Sequence, residues 1–129
     1  MNEQSITHHA SSPDNRPFAG VKVVEVSRVI ASPFAGSQLA SLGAQIIKFE
    51  DPGKGNGIRI RNVGNKELIR QGMSPSFLSQ NAGKRSVTLN MRTPEGQKIF
   101  RQLAANADVV LENLKTGTMH GYGLGYEDL

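Results

Sequence analysis

The residues that could do chemistry gather in short stretches that mix basic, polar and turn-forming side chains. They are Ser27-Arg28-Val29-Ile30-Ala31-Ser32-Pro33, a glycine-rich segment over residues 51–65 that carries Lys54, Arg59 and Arg61, then Gly83-Lys84-Arg85-Ser86, Arg92-Thr93-Pro94, and Asn113-Leu114-Lys115-Thr116-Gly117. Guanidinium forks, ammonium groups and free backbone N–H groups at helix starts bind anions, so the chemistry these stretches suit is the holding of a phosphorylated small molecule. Two familiar ways of doing so are missing. The turn after the first strand-like run contains no glycine, which disfavours the dinucleotide fingerprint, and Gly83-Lys84-Arg85-Ser86 leads into a strand where a Walker loop would lead into a helix. On residue chemistry alone, Lys84 and Arg85 read equally well as solvated charges at the start of that strand.

Other chemistries are narrowed by composition. The chain has no Cys, so a disulfide framework, a thiolate zinc site and a cysteine nucleophile are excluded. His8 and His9 are adjacent, but no acidic residue at ligand spacing supports them, and no metal is expected. The net charge of +4 comes from basic residues spread along the chain without interleaved aromatics, so nucleic acid is not the expected partner. No segment approaches the ~20 apolar residues of a membrane span, and the N-terminal stretch lacks the apolar run of a secretory signal. A location in the cytoplasm, away from membranes, is the expectation.

The elements that must position these residues follow from periodicity. Residues 1–16 are polar and are expected to form a disordered tail. The β-branched run Val21-Lys22-Val23-Val24-Glu25-Val26-Ser27 suits a strand buried on both faces of a parallel sheet. A helix is expected over residues 33–42, with Phe34, Leu39 and Leu42 at helical spacing and Gly43 as its stop. Residues 45–50 form the next strand, and short helices are expected over 66–72 and 75–81. Residues 86–91 form a third strand, followed by a helix over 94–106 with Thr93 as its N-cap and Pro94 in first position. That helix should turn Ile99, Leu103 and Ala107 to the sheet and Lys98, Arg101 and Gln102 to water. A fourth strand covers 108–114, and residues 125–129 resemble the opening turn of a further helix. Alternating strands and helices predict an α/β, Rossmann-like three-layer domain with a mostly parallel sheet. The undeveloped last helix makes the domain read as truncated, with residues 17–129 its incomplete body.

Read in order, several of these segments resemble the opening of class III CoA-transferases of the CaiB/BaiF type. The resemblance rests on Phe18-Ala19-Gly20-Val21-Lys22-Val23-Val24-Glu25-Val26 running into Ser27-Arg28-Val29-Ile30-Ala31-Ser32-Pro33-Phe34, then on Leu42-Gly43-Ala44-Gln45-Ile46-Ile47-Lys48-Phe49-Glu50 and Pro52-Gly53-Lys54-Gly55. It continues through Asn81-Ala82-Gly83-Lys84-Arg85-Ser86-Val87-Thr88-Leu89, Thr93-Pro94-Glu95-Gly96, Ala107-Asp108-Val109-Val110-Leu111-Glu112-Asn113 and Gly123-Leu124-Gly125-Tyr126.

The resemblance implies a coenzyme-A-binding domain in an enzyme that moves coenzyme A from an acyl-CoA to a carboxylic acid acceptor, through an aspartyl intermediate, as an interlocked homodimer. It implies that Ile30 and Ala31 line the CoA pocket after the first strand. Leu89, Asn90, Met91 and Arg92 would bracket its adenine and phosphate end, and Asn113, Leu114 and Lys115 would complete it. Taken one by one, Ile30, Leu89, Met91 and Leu114 read equally as core packing. The family's nucleophilic aspartate would lie beyond residue 129, Asp108 and Glu112 read as structural, and the chain alone is not expected to catalyse transfer. α-Methylacyl-CoA racemases share the pattern, and a non-catalytic CoA-binding remnant is the further alternative.

Overall fold

The computed structural model describes residues 15–61, 67, 69 and 71–129. Residues 1–14 of the expected polar tail, with His8 and His9, lie outside them, as do residues 66, 68 and 70 of the helix expected over 66–72. Four strands, β1 (Lys22–Val26), β2 (Gln45–Glu50), β3 (Arg85–Thr88) and β4 (Val109–Glu112), form one sheet in the order β3-β2-β1-β4 with every pairing parallel. Chain order runs outward from β1 to β3, then returns to the other side of β1 for β4. The topological switch therefore falls between β1 and β4, the position at which doubly wound sheets open a crevice.

Helices cover both faces. Helix α1 (Ala31–Ser41) lies against one, with α2 (Pro75–Asn81) packed on α1, and α3 (Pro94–Ala104) and the short α4 (Thr118–Gly121) lie against the other. Period-two alternation sorts the strand side chains. Val24, Val26 and Phe49 join Phe100, Met119 and Leu124 in the larger core, while Val23 and Ile46 join Ala44 on the α1 side. Phe49 and Phe100 meet with ring centroids 5.1 Å apart, a tilted aromatic pair at the centre of the larger core.

Two helices expose faces other than those expected. Helix α3 buries Phe100 completely and leaves Ile99 43% exposed; the core-facing set is Phe100, Leu103, Ala104 and Ala107, one position round from the expected stripe. Phe100 holds more apolar surface than Ile99, and its pairing with Phe49 decides the rotation. Helix α1 starts two residues earlier than expected and leaves Phe34 and Leu42 exposed, while Ser32, Pro33 and Gly36 are its buried face. It stops as expected. Gly43 takes φ +110°, its N–H donates to the Ala40 carbonyl and that of Ala44 to Leu39, closing a Schellman turn.

The third and fourth strands are shorter than expected because side chains take over at their ends. Asn90 turns the chain after β3, its backbone carbonyl accepting from the Thr93 hydroxyl and its Oδ1 from the Arg92 N–H. Beyond β4, Asn113 bonds sideways to the end of β1. The last expected helix is a single 3₁₀ turn, Tyr126–Asp128. Among the described residues no helix is long and apolar enough to cross a membrane.

Candidate functional site

All four strands point their carboxyl ends at one cleft of about 790 Å³. Val26, Ser27, Arg28 and Val29 border it at the end of β1, Phe49, Glu50, Asp51 and residues 53–56 at the end of β2, Met91 and Arg92 after β3, and Leu114 after β4, together with Tyr122. Val26, Phe49, Met91 and Leu114 supply an apolar floor, and Arg28, Lys54, Arg61 and Arg92 a cationic rim. A cleft of this size, apolar inside and charged at its edge, suits an organic ligand that carries anionic groups.

The loops that hold the rim are fixed by side-chain bonds. Asn113 accepts from the Arg28 N–H at 2.8 Å and donates back to the Arg28 carbonyl at 2.8 Å, tying the end of β4 to the turn after β1. Within that turn Val29 has φ +60°, a conformation costly for a β-branched residue and held by the bonds on either side of it. The glycine-rich loop after β2 is anchored by Glu50. The carboxylate takes a two-pronged bond from Arg59, 2.7 Å on each prong, and also accepts from the Ser86 hydroxyl and the Asn56 N–H. Burial by itself would raise the Glu50 pKa, but these donors together hold it at about 2. The Arg59 guanidinium lies 3.8 Å from the centre of the Phe77 ring, and its own pKa is raised by Glu50. Asn56 completes the tie by donating to the Ser27 carbonyl at 3.0 Å.

Behind the cleft wall lies a second set of charges. Glu25, fully buried on β1, meets Lys48 Nζ at 2.7 Å on one oxygen and Lys84 Nζ at 2.7 Å on the other. Ser27 donates to the same carboxylate and accepts from Lys48, so its hydroxyl faces this cluster. Lys84 also donates to the Pro33 carbonyl at 2.7 Å; burial lowers its pKa despite the neighbouring carboxylate. Lys84 is thus an interior ion-pair partner, 2% exposed, and the expectation of a solvated charge is corrected. Gly36 makes the cluster possible, since a Cβ there would stand 2.1 Å from Glu25 Oε2.

The expected pocket residues fall in three groups. Met91, Arg92 and Leu114 border the cleft, and Asn90 borders a smaller recess shared by Arg28, Asp51, Lys54 and Arg92. Leu89 packs in the larger core, and Asn113 serves as the tie just described. Ile30 is 56% exposed at the start of α1, Ala31 is exposed beside it, and neither borders the cleft; nor does Lys115, whose carbonyl caps the turn into α4. Asp108 bonds the Lys22 N–H at the opposite end of the sheet, and Glu112 accepts from the Leu114 N–H. The geometry adds Arg28, Asp51, Lys54, Arg61 and Tyr122, four of which stand in the loops that the strand pattern had already marked. Tyr122 gave no signal, since its position depends on how α4 folds back.

Comparison with known proteins identifies the family and the fold. The sequence model of the family described as CoA-transferase family III matches residues 18–129. A human succinyl-CoA:glutarate CoA-transferase is 41% identical over 117 residues, covering 88% of this chain and 25% of its own length. A succinyl-CoA–D-citramalate CoA-transferase of Chloroflexus aurantiacus is 40% identical over 114 residues, with 88% and 27% covered. The crystal structure of a CAIB/BAIF family protein from Brucella suis superposes with a TM-score of 0.77 at 41% identity, covering 88% of this chain and 30% of that one. The chain thus spans about a quarter of the length of the curated relatives it matches.

Proposed function

This chain belongs to CoA-transferase family III, and from that premise we propose that its cleft holds the coenzyme A portion of an acyl-CoA. The observation that carries the reading is the convergence of Arg28, Lys54, Arg61 and Arg92 around an apolar floor at the carboxyl ends of all four strands. Phosphate groups would meet the cationic rim, and the adenine ring and pantetheine chain the apolar residues. Residues 17–129 form an incomplete part of the CoA-binding, Rossmann-like domain.

The whole enzyme, in this reading, is a homodimer that exchanges coenzyme A between an acyl-CoA and a carboxylic acid. An aspartate outside this chain attacks the thioester carbonyl and the CoA thiolate leaves, dividing one difficult exchange into easier covalent steps. The residues of this chain contribute binding and orientation. Ser27 borders the cleft, but its hydroxyl is engaged by Glu25 and Lys48. Asn113 and Asn56 hold the Arg28 turn and the glycine-rich loop in register, so that cofactor binding need not order them first.

Titration calorimetry with coenzyme A tests the reading. Saturable one-to-one binding is expected, weakened about tenfold by Arg92→Gln, as loss of a charge-assisted bond to phosphate requires. A folded chain that takes up no coenzyme A would overturn it.

A further inference from the structure

Asp51, the first residue beyond β2, stands between two arginines from different strand ends. Its Oδ2 accepts from Arg28 Nη2 and its Oδ1 from Arg92 Nη1, each at 3.3 Å. Arg28 follows β1 and Arg92 follows β3, so the trio bridges three strand ends where the cleft meets the smaller recess. These contacts are long for charge-assisted bonds, which close to ~2.7–2.9 Å. The Glu50–Arg59 pair, one residue away, does close to 2.7 Å. The Arg28 and Arg92 side chains are 59% and 55% exposed, and Asp51 is 30% exposed. Pairs of this length and exposure are held weakly.

We infer that Asp51 is an internal stand-in for a phosphoryl group, occupying the arginine pair until a ligand phosphate displaces it. A carboxylate and a phosphoryl group both offer at least two acceptor oxygens to which guanidinium forks donate. The Asp51 carboxylate makes no other hydrogen bond among the described residues, and its backbone carbonyl is held by the Gly55 N–H, so only the side chain has to turn away. The exchange also selects. A singly charged anion gains nothing over Asp51, whereas a phosphoryl dianion interacts more strongly with both arginines, so the cleft favours phosphate over the carboxylates of free acids. The identity of the natural ligand rests on the coenzyme A reading; the exchange itself asks only for a phosphate-type anion.

The test uses calorimetry on the full chain at low ionic strength, with inorganic pyrophosphate and, separately, coenzyme A as probes. Asp51→Asn is expected to tighten pyrophosphate about fivefold, with Asp51→Ala behaving alike, because two weak competing pairs are removed. Glu127→Gln, an exposed acid on the terminal turn, controls for net charge and should change binding less than about twofold. In an Arg28→Gln/Arg92→Gln background the Asp51 effect should vanish.

Unchanged or weaker pyrophosphate binding by Asp51→Asn overturns the inference, since Asp51 would then only orient the arginines. So does a gain matched by Glu127→Gln or surviving loss of both arginines, and so does an Asp51→Asn chain that binds no pyrophosphate. The two readings fail separately. Pyrophosphate showing the full pattern while coenzyme A does not bind would sink the coenzyme A reading alone; coenzyme A binding with no Asp51 effect on either probe would sink the stand-in alone.

Discussion

The chain places one carboxylate between two cations in two regions, and burial makes them different devices. Behind the cleft wall, Glu25 holds Lys48 and Lys84 at 2.7 Å with all three side chains no more than 2% exposed. At the mouth, Asp51 holds Arg28 and Arg92 at 3.3 Å with both arginines more than half exposed. Water screens the outer trio and can replace any partner, so its members are free to rearrange around a ligand. The inner trio has no such substitute, and removing one member strands the others in a low-dielectric interior. Ser27 links the regions, its hydroxyl in the inner cluster and its carbonyl bonded to Asn56 in the loop that begins with Asp51.

The sharpest way to break the contrast is Glu25→Gln, which leaves two buried ammoniums around a neutral amide. Urea unfolding should show a loss of about 3–5 kcal/mol. A loss under about 1 kcal/mol would mean that the inner trio is held as loosely as the outer one. Gly36→Ala attacks the same cluster from the helix side by placing a methyl where Glu25 Oε2 now lies, and should cost about 1–3 kcal/mol in the same measurement.

Glu50 stands between the extremes, buried itself but paired with a partly exposed arginine. Its carboxyl pKa is lowered in the fold, from 4.5 to about 2, so the stabilisation is complete above pH 4.5 and is lost as pH falls from there towards 2. The loss is on the order of 3 kcal/mol across that window, and Glu50→Gln should flatten this part of a stability-against-pH curve. An acid limb unchanged by the substitution would assign the loss to other carboxyls. The smallest effect is expected from Asp51→Asn, which should move the urea midpoint by less than about 0.5 kcal/mol equivalent. A larger loss would make the outer trio structural and erase the contrast.

Much of the frame was legible from local pattern. Runs such as Val23-Val24 and Ile46-Ile47 announce buried parallel strands, Thr93-Pro94 a helix start and Gly43 a helix stop, and each is where the pattern puts it. Those signals are local because dihedral preference and capping act within a few residues. The loops at the carboxyl ends were marked for the same reason, and so was Arg92. Ile99 shows where local pattern runs out, because an apolar residue at helical spacing does not say which of two adjacent stripes will find an aromatic partner across the layer.

By itself, then, the sequence determined the order of elements, the parallel sheet and the end of that sheet at which anion-binding loops collect. Only the tertiary structure decided which charges are locked and which are free. Glu25 and Lys84, or Asp51 and Arg28, look alike as acids and bases along the chain. What separates them is whether α1 closes over them, and that depends on Gly36 meeting β1, a contact between surfaces that no local preference encodes.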